Sequence, residues 1–194
     1  MISQVKSVIQ QLDLDTGSGP LTKVRVGIAL FDTNPMLLKH LNNFNLPAAY
    51  PYNGGGTNIA AAITFAHNTM FTVRNGDRPQ APNTLVVITD GKSSNNPIPA
   101  ATAAKNAGIK IMAVAVGYNV NMARLRGIVS NPSTDLRTAR NFCYIATELQ
   151  KIFNCTDTQA PRRRYIPLQC RTTIIRARAF SNIEAEDDDG ETSR

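Results

Sequence analysis

No apolar run in the 194 residues approaches the roughly 20 needed to cross a bilayer. The opening residues MISQVKSVIQ mix polar and apolar side chains and do not form the apolar centre of a secretion signal. The sequence therefore reads as having neither a membrane span nor a secretion signal. Histidine is nearly absent: His40 and His67 are the only two, and neither has a second histidine or a cysteine at ligand spacing, so no zinc site is expected. Cysteine is scarce as well, and three is an odd number, which leaves at least one thiol without a partner in the chain. No Ser/His/Asp or Cys/His constellation suggests a nucleophilic enzyme.

Negative charge is in the minority, with 14 Asp+Glu against 21 Lys+Arg and a net charge of +7. All of that surplus lies in residues 1–155, which hold 14 basic and 7 acidic residues, whereas residues 156–194 hold 7 of each. A surplus of this size attracts polyanions. It is spread without a dense Lys/Arg cluster or interleaved aromatics, so it reads as solvated surface and no nucleic acid is expected as a partner.

What is present is enough for a buried core: 42% of residues are hydrophobic and 18% charged, the balance of one soluble globular domain. Ile2, Val5, Val8, Ile9 and Leu12 recur at helical spacing before a turn-rich stretch from Asp13 to Pro20. Val24 to Leu30 alternate as a strand ended by Phe31-Asp32-Thr33-Asn34-Pro35, with a short neighbouring strand near Leu37 to Leu41. After Gly54-Gly55-Gly56, Thr57 can cap a helix whose inward face is Ile59, Ala60, Ile63, Ala66, Met70 and Phe71. Then come strand Thr84 to Thr89, helix Ile98 to Ala107, strand Ile109 to Gly117, helix Asn121 to Val129, edge strand Leu136 to Arg140, and a last helix through Ile145 and Leu149. Such alternation specifies an α/β, doubly wound, mostly parallel sheet covered on both faces, with binding groups beyond the carboxyl ends of the strands. Beyond Cys155 the periodicity stops, and residues 156–194 pass from an arginine-rich stretch to an acidic end, which reads as a disordered tail.

Two loops carry the candidate chemistry. One holds Gly54, Gly55, Gly56, Thr57 and Asn58, and the other holds Asp90, Gly91, Lys92 and Ser93 straight after the most hydrophobic strand. A carboxylate at the end of a buried parallel strand, beside a hydroxyl held by a glycine-rich turn, offers hard oxygen to magnesium or manganese. Taken singly, Asp90-Gly91 reads better as a strand-ending turn and Thr57 as a helix cap. Gly-Gly-Gly-Thr has no lysine after its final glycine, which argues against a phosphate-cradling loop.

Five blocks, VRVGIALFD, PYNGGGTNIAAAI, NTLVVITDGKS, AAKNAGIKIMAVAVG and a last helix starting at NF and ending in Cys155, stand in order over residues 1–155. Together they resemble the von Willebrand factor type A domain, most closely its extracellular matrix and collagen-associated members. The resemblance implies a three-layer fold and a metal-ion-dependent adhesion site made of Asp-x-Ser-x-Ser, a threonine and an aspartate. Thr57 and Asp90 match the last two, so Mg2+ or Mn2+ is the implied cofactor if the first motif is present. Asn58, Gly91, Lys92 and Ser93 are then the implied ligand-binding rim.

The family's opening strand and its Asp-x-Ser-x-Ser have no counterpart before the first helix here. The resemblance therefore implies a domain that lacks its first, central strand, with unpaired edges on either side, as in an N-terminally truncated fragment. In extracellular relatives, the cysteine at the Cys155 position often pairs with one ahead of the first strand. Cys143 cannot be that partner, because 12 helical residues separate the two by roughly 18 Å. Cys155 with Cys170 stays open.

The function implied is a non-enzymatic, secreted adhesion module. Its partner would be an extracellular matrix or collagen-like protein offering a carboxylate. The alternatives are a metal-independent matrix module that binds polyanions such as sulfated polysaccharide, and an intracellular adaptor.

Overall fold

The computed structural model describes residues 9–10, 12–15, 23–43, 55–153 and 173–177. The alternating stretch that begins at Val24 becomes strand β1 only over Ile28–Phe31, because Val24 is already engaged in a parallel bridge with Leu14. Strand β2 (Pro35–Lys39) turns back antiparallel to β1. Helix α1 (Ile59–Phe65) runs straight into a π-helical turn over Ala66–Met70, where the Phe71 N–H donates to the Ala66 carbonyl at 3.0 Å. The remaining elements are β3 (Thr84–Thr89), α2 (Ile98–Asn106), β4 (Lys110–Val116), α3 (Met122–Ile128), β5 (Leu136–Ala139), α4 (Ile145–Phe153) and β6 (Thr173–Ala177).

The six strands form one sheet in the order β2-β1-β6-β3-β4-β5. Every pairing is parallel except that of β1 with β2. On one face Ile59, Ala62 and Ile63 of α1, Ala101 and Ala104 of α2, and Leu125 and Ile128 of α3 share a core with Ala29, Leu85, Val87, Ile111 and Ala113. On the other, Ile9 and the α4 residues Ile145 and Leu149 close over Ile28, Val86, Ile88 and Val114. Strand residues alternate between these two cores because successive side chains point to opposite faces. Small alanines on α1 and α2 let those helices lie close to the sheet. Of the opening helix, only its end around Ile9 falls within the described residues.

The expectation of an absent central strand is corrected. The position between β1 and β3 is filled by β6, parallel to both. Ile174 lies level with Ile28 and Val86, and Ile175 with Ala29 and Val87, pairs that belong to the two opposite cores. A pair of β-branched residues suits a strand flanked on both sides. The edges expected to be unpaired are therefore paired. The reading of 156–194 as a disordered tail does not hold for Thr173–Ala177; the rest of that stretch lies outside the described residues.

Gly76 shows where the fold tolerates no side chain. Its φ is +93°, and a Cβ there would come within 2.4 Å of the Asn42 backbone nitrogen. The left-handed conformation and the close approach both require glycine.

Candidate binding site at the ends of the strands

Because five strands run parallel, their carboxyl ends share one edge, and the loops of interest gather there. The glycine loop is tied to the turn after β1. Gly55, at φ +115°, lies so close to Asp32 that a Cβ would sit 3.1 Å from its Cγ. The Gly56 N–H donates to Thr33 Oγ1 at 3.2 Å. Asn58 donates its backbone N–H to the Asp32 carbonyl at 2.8 Å and its Nδ2 to the Thr33 carbonyl at 3.2 Å.

Asn58 also accepts the Ala61 N–H on Oδ1 at 3.0 Å, so it caps α1 in place of Thr57. An Asx side chain at this position satisfies one of the helix's orphan donors. Thr57 is left free of that task and is only 4% exposed. Its carbonyl accepts the Ser94 N–H at 2.7 Å and the Ser94 hydroxyl at 3.1 Å. Ser93 Oγ in turn accepts the Ile59 N–H at 3.3 Å. The loop that carries Thr57 and the loop that carries Asp90 are thus joined through their backbones.

Asp90 is half-buried and follows the buried Thr89, whose Oγ1 accepts the Gly91 N–H at 3.3 Å. Lys92 is exposed. Gly91 and Ser93, expected on a rim, are instead buried, and support the loop from beneath. Gly54 and Cys155 lie outside the described residues. Cys143 is exposed.

Two residues not singled out from the sequence belong here. Asp32 brings a second carboxylate to the edge. A carboxylate ending a strand just before Pro35 was the signal that could have found it. Arg124 of α3 donates Nη1 to the Ser93 carbonyl at 2.8 Å and to the Asn95 carbonyl at 3.2 Å, holding the loop after β3 in place; α3 itself is capped by Asn121, whose Oδ1 accepts the Arg124 N–H. Nothing in the sequence distinguishes Arg124 from a surface arginine.

The donors at this edge are hydroxyl and carboxylate oxygens, with no thiolate or imidazole singled out among them, and that chemistry suits a hard dication. Among the described residues, no three His, Cys, Asp or Glu side chains cluster closely enough to share a metal ion. A cation here would rest on a mixed set in which hydroxyls and water carry part of the coordination. Beside the loops, the ends of β4 and β5 border an open groove of about 440 Å³, with Val120, Met122 and Ala139 as apolar lining and Tyr118 and Arg140 at its margin.

This doubly wound sheet, covered by helices on both faces and with its loops joined at the strand ends, is a three-layer α/β architecture. The sequence profile of the von Willebrand factor type A domain matches residues 1–156, and the chain belongs to that family. Among its relatives are mouse vitrin, 33% identical over 56% of this chain and 17% of that protein, and human collagen alpha-1(XXI) chain, 30% identical over 76% of this chain and 16% of that protein. Mouse matrilin-1 is 40% identical over 43% of this chain and 17% of its own length. The chain thus spans less than a fifth of each of these relatives. Among solved structures, proximal thread matrix protein 1 from the mussel byssus, with a zinc-occupied MIDAS motif, superposes with a TM-score of 0.69 at 21% identity. That match covers 76% of this chain and 40% of the byssus protein, and it shows a shared fold.

Proposed function

We propose that the chain is a non-enzymatic protein-binding module of an extracellular, matrix-type protein, and that it binds through the edge where its strands end. The observation that carries this reading is the joining of the two loops: Ser94 donates to Thr57, and Ser93 Oγ accepts from the first residue of α1. Relatives that include collagen chains and matrilin-1, and a byssus thread matrix protein of the same fold, support the extracellular setting.

In this reading Mg2+ or Mn2+ is held by the Thr57 hydroxyl and the Asp90 carboxylate, and a carboxylate of the partner protein takes one of the remaining positions. Magnesium is commonly held by one or two carboxylates with several waters retained, so the donors fit in kind, and their small number implies weak affinity. Asn58 and Lys92 flank the approach. The zinc in the MIDAS motif of the byssus protein belongs to that protein; oxygen donors without nitrogen or sulfur favour the harder ions.

A second reading, metal-independent contact, is favoured by the charge at the same edge. Lys92 and Arg140 are exposed there and Arg124 half-buried, and they can meet partner carboxylates directly. Binding of the chain to immobilised collagen and matrilin separates the two readings. Binding that needs Mg2+ or Mn2+ and is lost with chelator or in Asp90→Ala supports the cation. Binding that ignores chelator and falls steeply with salt supports direct ion pairing. No binding under either condition rejects the module reading.

A further inference from the structure

We propose that the outer edge of β5 is a docking site for an extended acidic segment of another protein, which adds to the sheet as one more strand beside Leu136–Ala139. The site is separate from the loops that carry Thr57 and Asp90 and needs no cation.

The first observation is a row of backbone groups that face away from the sheet. β5 is the last strand in the order and pairs with β4 alone. The Asp135 carbonyl accepts the Ala113 N–H and the Ala139 carbonyl accepts the Gly117 N–H, both at 2.8 Å. In a parallel ladder every second residue turns both its backbone groups to the same neighbour. Asp135, Arg137 and Ala139 therefore face β4, while Leu136 and Thr138 direct N–H and C=O outward. Thr138 is exposed, so the edge is open there. Outward groups of this kind are a template for another chain, and main-chain hydrogen bonds supply the affinity when a strand is added.

The second observation selects the chemistry of that chain. Successive residues of β5 lie on opposite faces. Leu136 packs against the core beneath α1, α2 and α3, and Ala139 belongs to the core beneath α4, so Thr138 shares the face of Leu136 and Arg137 that of Ala139. Arg137 Nε is buried without a hydrogen-bond partner, and a donor in that state carries a desolvation cost that an acceptor alongside would offset. The acids nearby are occupied: Asp135 pairs with Lys110 and accepts the Asn131 N–H, and Glu148 of α4 is already engaged. On the other face Thr138 borders the groove lined by Val120 and Met122, with Tyr118, 91% exposed, at its margin.

A strand laid along β5 sets its side chains alternately beside an arginine and beside an apolar groove. A segment that alternates acidic and apolar residues meets both. A second copy of this chain does not, because two-fold pairing of β5 with itself sets arginine beside arginine on one face, and like charges across a ladder are destabilising.

Amide hydrogen exchange of the full chain, read by NMR with EDTA present, tests this independently of any cation. The probes are the peptide acetyl-Val-Glu-Val-Glu-Val-amide and its counterpart with lysine in place of glutamate. In the protein alone, the Leu136 and Thr138 amides should exchange faster than those of Arg137 and Ala139. With the glutamate peptide at about ten times its Kd they should slow by about ten-fold, and the lysine peptide should leave them unchanged. Thr138→Pro, which removes one outward donor and keeps the bonds to β4, should weaken binding by about three-fold or more. Arg137→Glu should transfer the preference to the lysine peptide. Unchanged exchange at Leu136 and Thr138 overturns the proposal, as does equal slowing by the two peptides or a preference that Arg137→Glu leaves unaltered. Slowing that appears without peptide as protein concentration rises assigns the edge to a second copy and overturns it as well.

Discussion

The Ser94 N–H donates to the Thr57 carbonyl at 2.7 Å, and this one bond ties the loop after β3 to the glycine loop ahead of α1. Thr57 and Asp90 lie 33 residues apart in sequence; the Asp90 loop leaves the carboxyl end of β3, and the glycine loop is held at the same edge by its hydrogen bonds to Asp32, Thr33 and Ser94. Arg124 holds the arrangement from α3 through the carbonyls of Ser93 and Asn95.

Arg124→Ala should loosen that loop. Hydrogen bonds from a charged donor contribute roughly 1.5–3 kcal/mol each when buried; with Arg124 half-buried, a total loss of about 1–2 kcal/mol is expected. The melting temperature should fall by a few degrees, and amide exchange in residues 91–96 should quicken. Unchanged exchange there would show that the loop holds itself.

Asp15 offers a sterner test of the opposite edge. It is 2% exposed and accepts Arg25 Nε at 2.8 Å and Arg78 Nη1 at 3.1 Å. Asp15→Ala leaves two guanidinium groups without this carboxylate and should cost about 3 kcal/mol in urea unfolding. Arg78→Ala, which leaves Arg25 in place, should cost less. Equal costs would mean the carboxylate does not act as a shared anchor.

Lys39 gives a pH dependence with a definite sign. It is 5% exposed, its ammonium donates to the Val26 carbonyl, and burial lowers its pKa from 10.5 to about 8. Between these values the unfolded chain binds more protons than the folded one, so stability should rise as pH increases through that interval and level off above it. The rise attributable to this group is about 3 kcal/mol. Lys39→Met should abolish it and stabilise the protein at neutral pH. Parallel pH profiles for the two proteins in urea titrations would refute the assignment.

The central position of β6 makes Ile175→Pro informative. Proline removes a backbone donor and cannot be accommodated inside a sheet, so a loss of about 3 kcal/mol or more is expected. The same substitution at the exposed Thr138 of edge strand β5 should cost less. Retention of full stability by Ile175→Pro would show that this strand does not hold the sheet together.

The sequence was most legible where burial is continuous. TLVVIT reads as a strand at both its ends, and β3 is Thr84–Thr89. The six-residue run has no polar interruption to blur it. The sheet order around β6 was not legible, because TTIIRARAF places Arg176 and Arg178 among its apolar residues and sits in a stretch whose charge suggests solvent. Its partners β1 and β3 lie far upstream, where no local pattern points to them. Thr57 and Asn58 are both competent caps side by side. The choice fell to Asn58 because Thr57 turns inward and its carbonyl is taken by Ser94. Asp32 looked like a turn residue until the left-handed Gly55 brought the glycine loop against it.

The most direct measurement of the central claim is paramagnetic broadening by Mn2+ in the amide spectrum of the full chain. If Thr57 and Asp90 border one cation site, substoichiometric Mn2+ will erase the signals of residues 56–58 and 90–93 together, excess Mg2+ will restore them, and Asp90→Ala will leave them sharp. Broadening confined to only one of the two loops, or centred on the acidic residues 184–189, would contradict it.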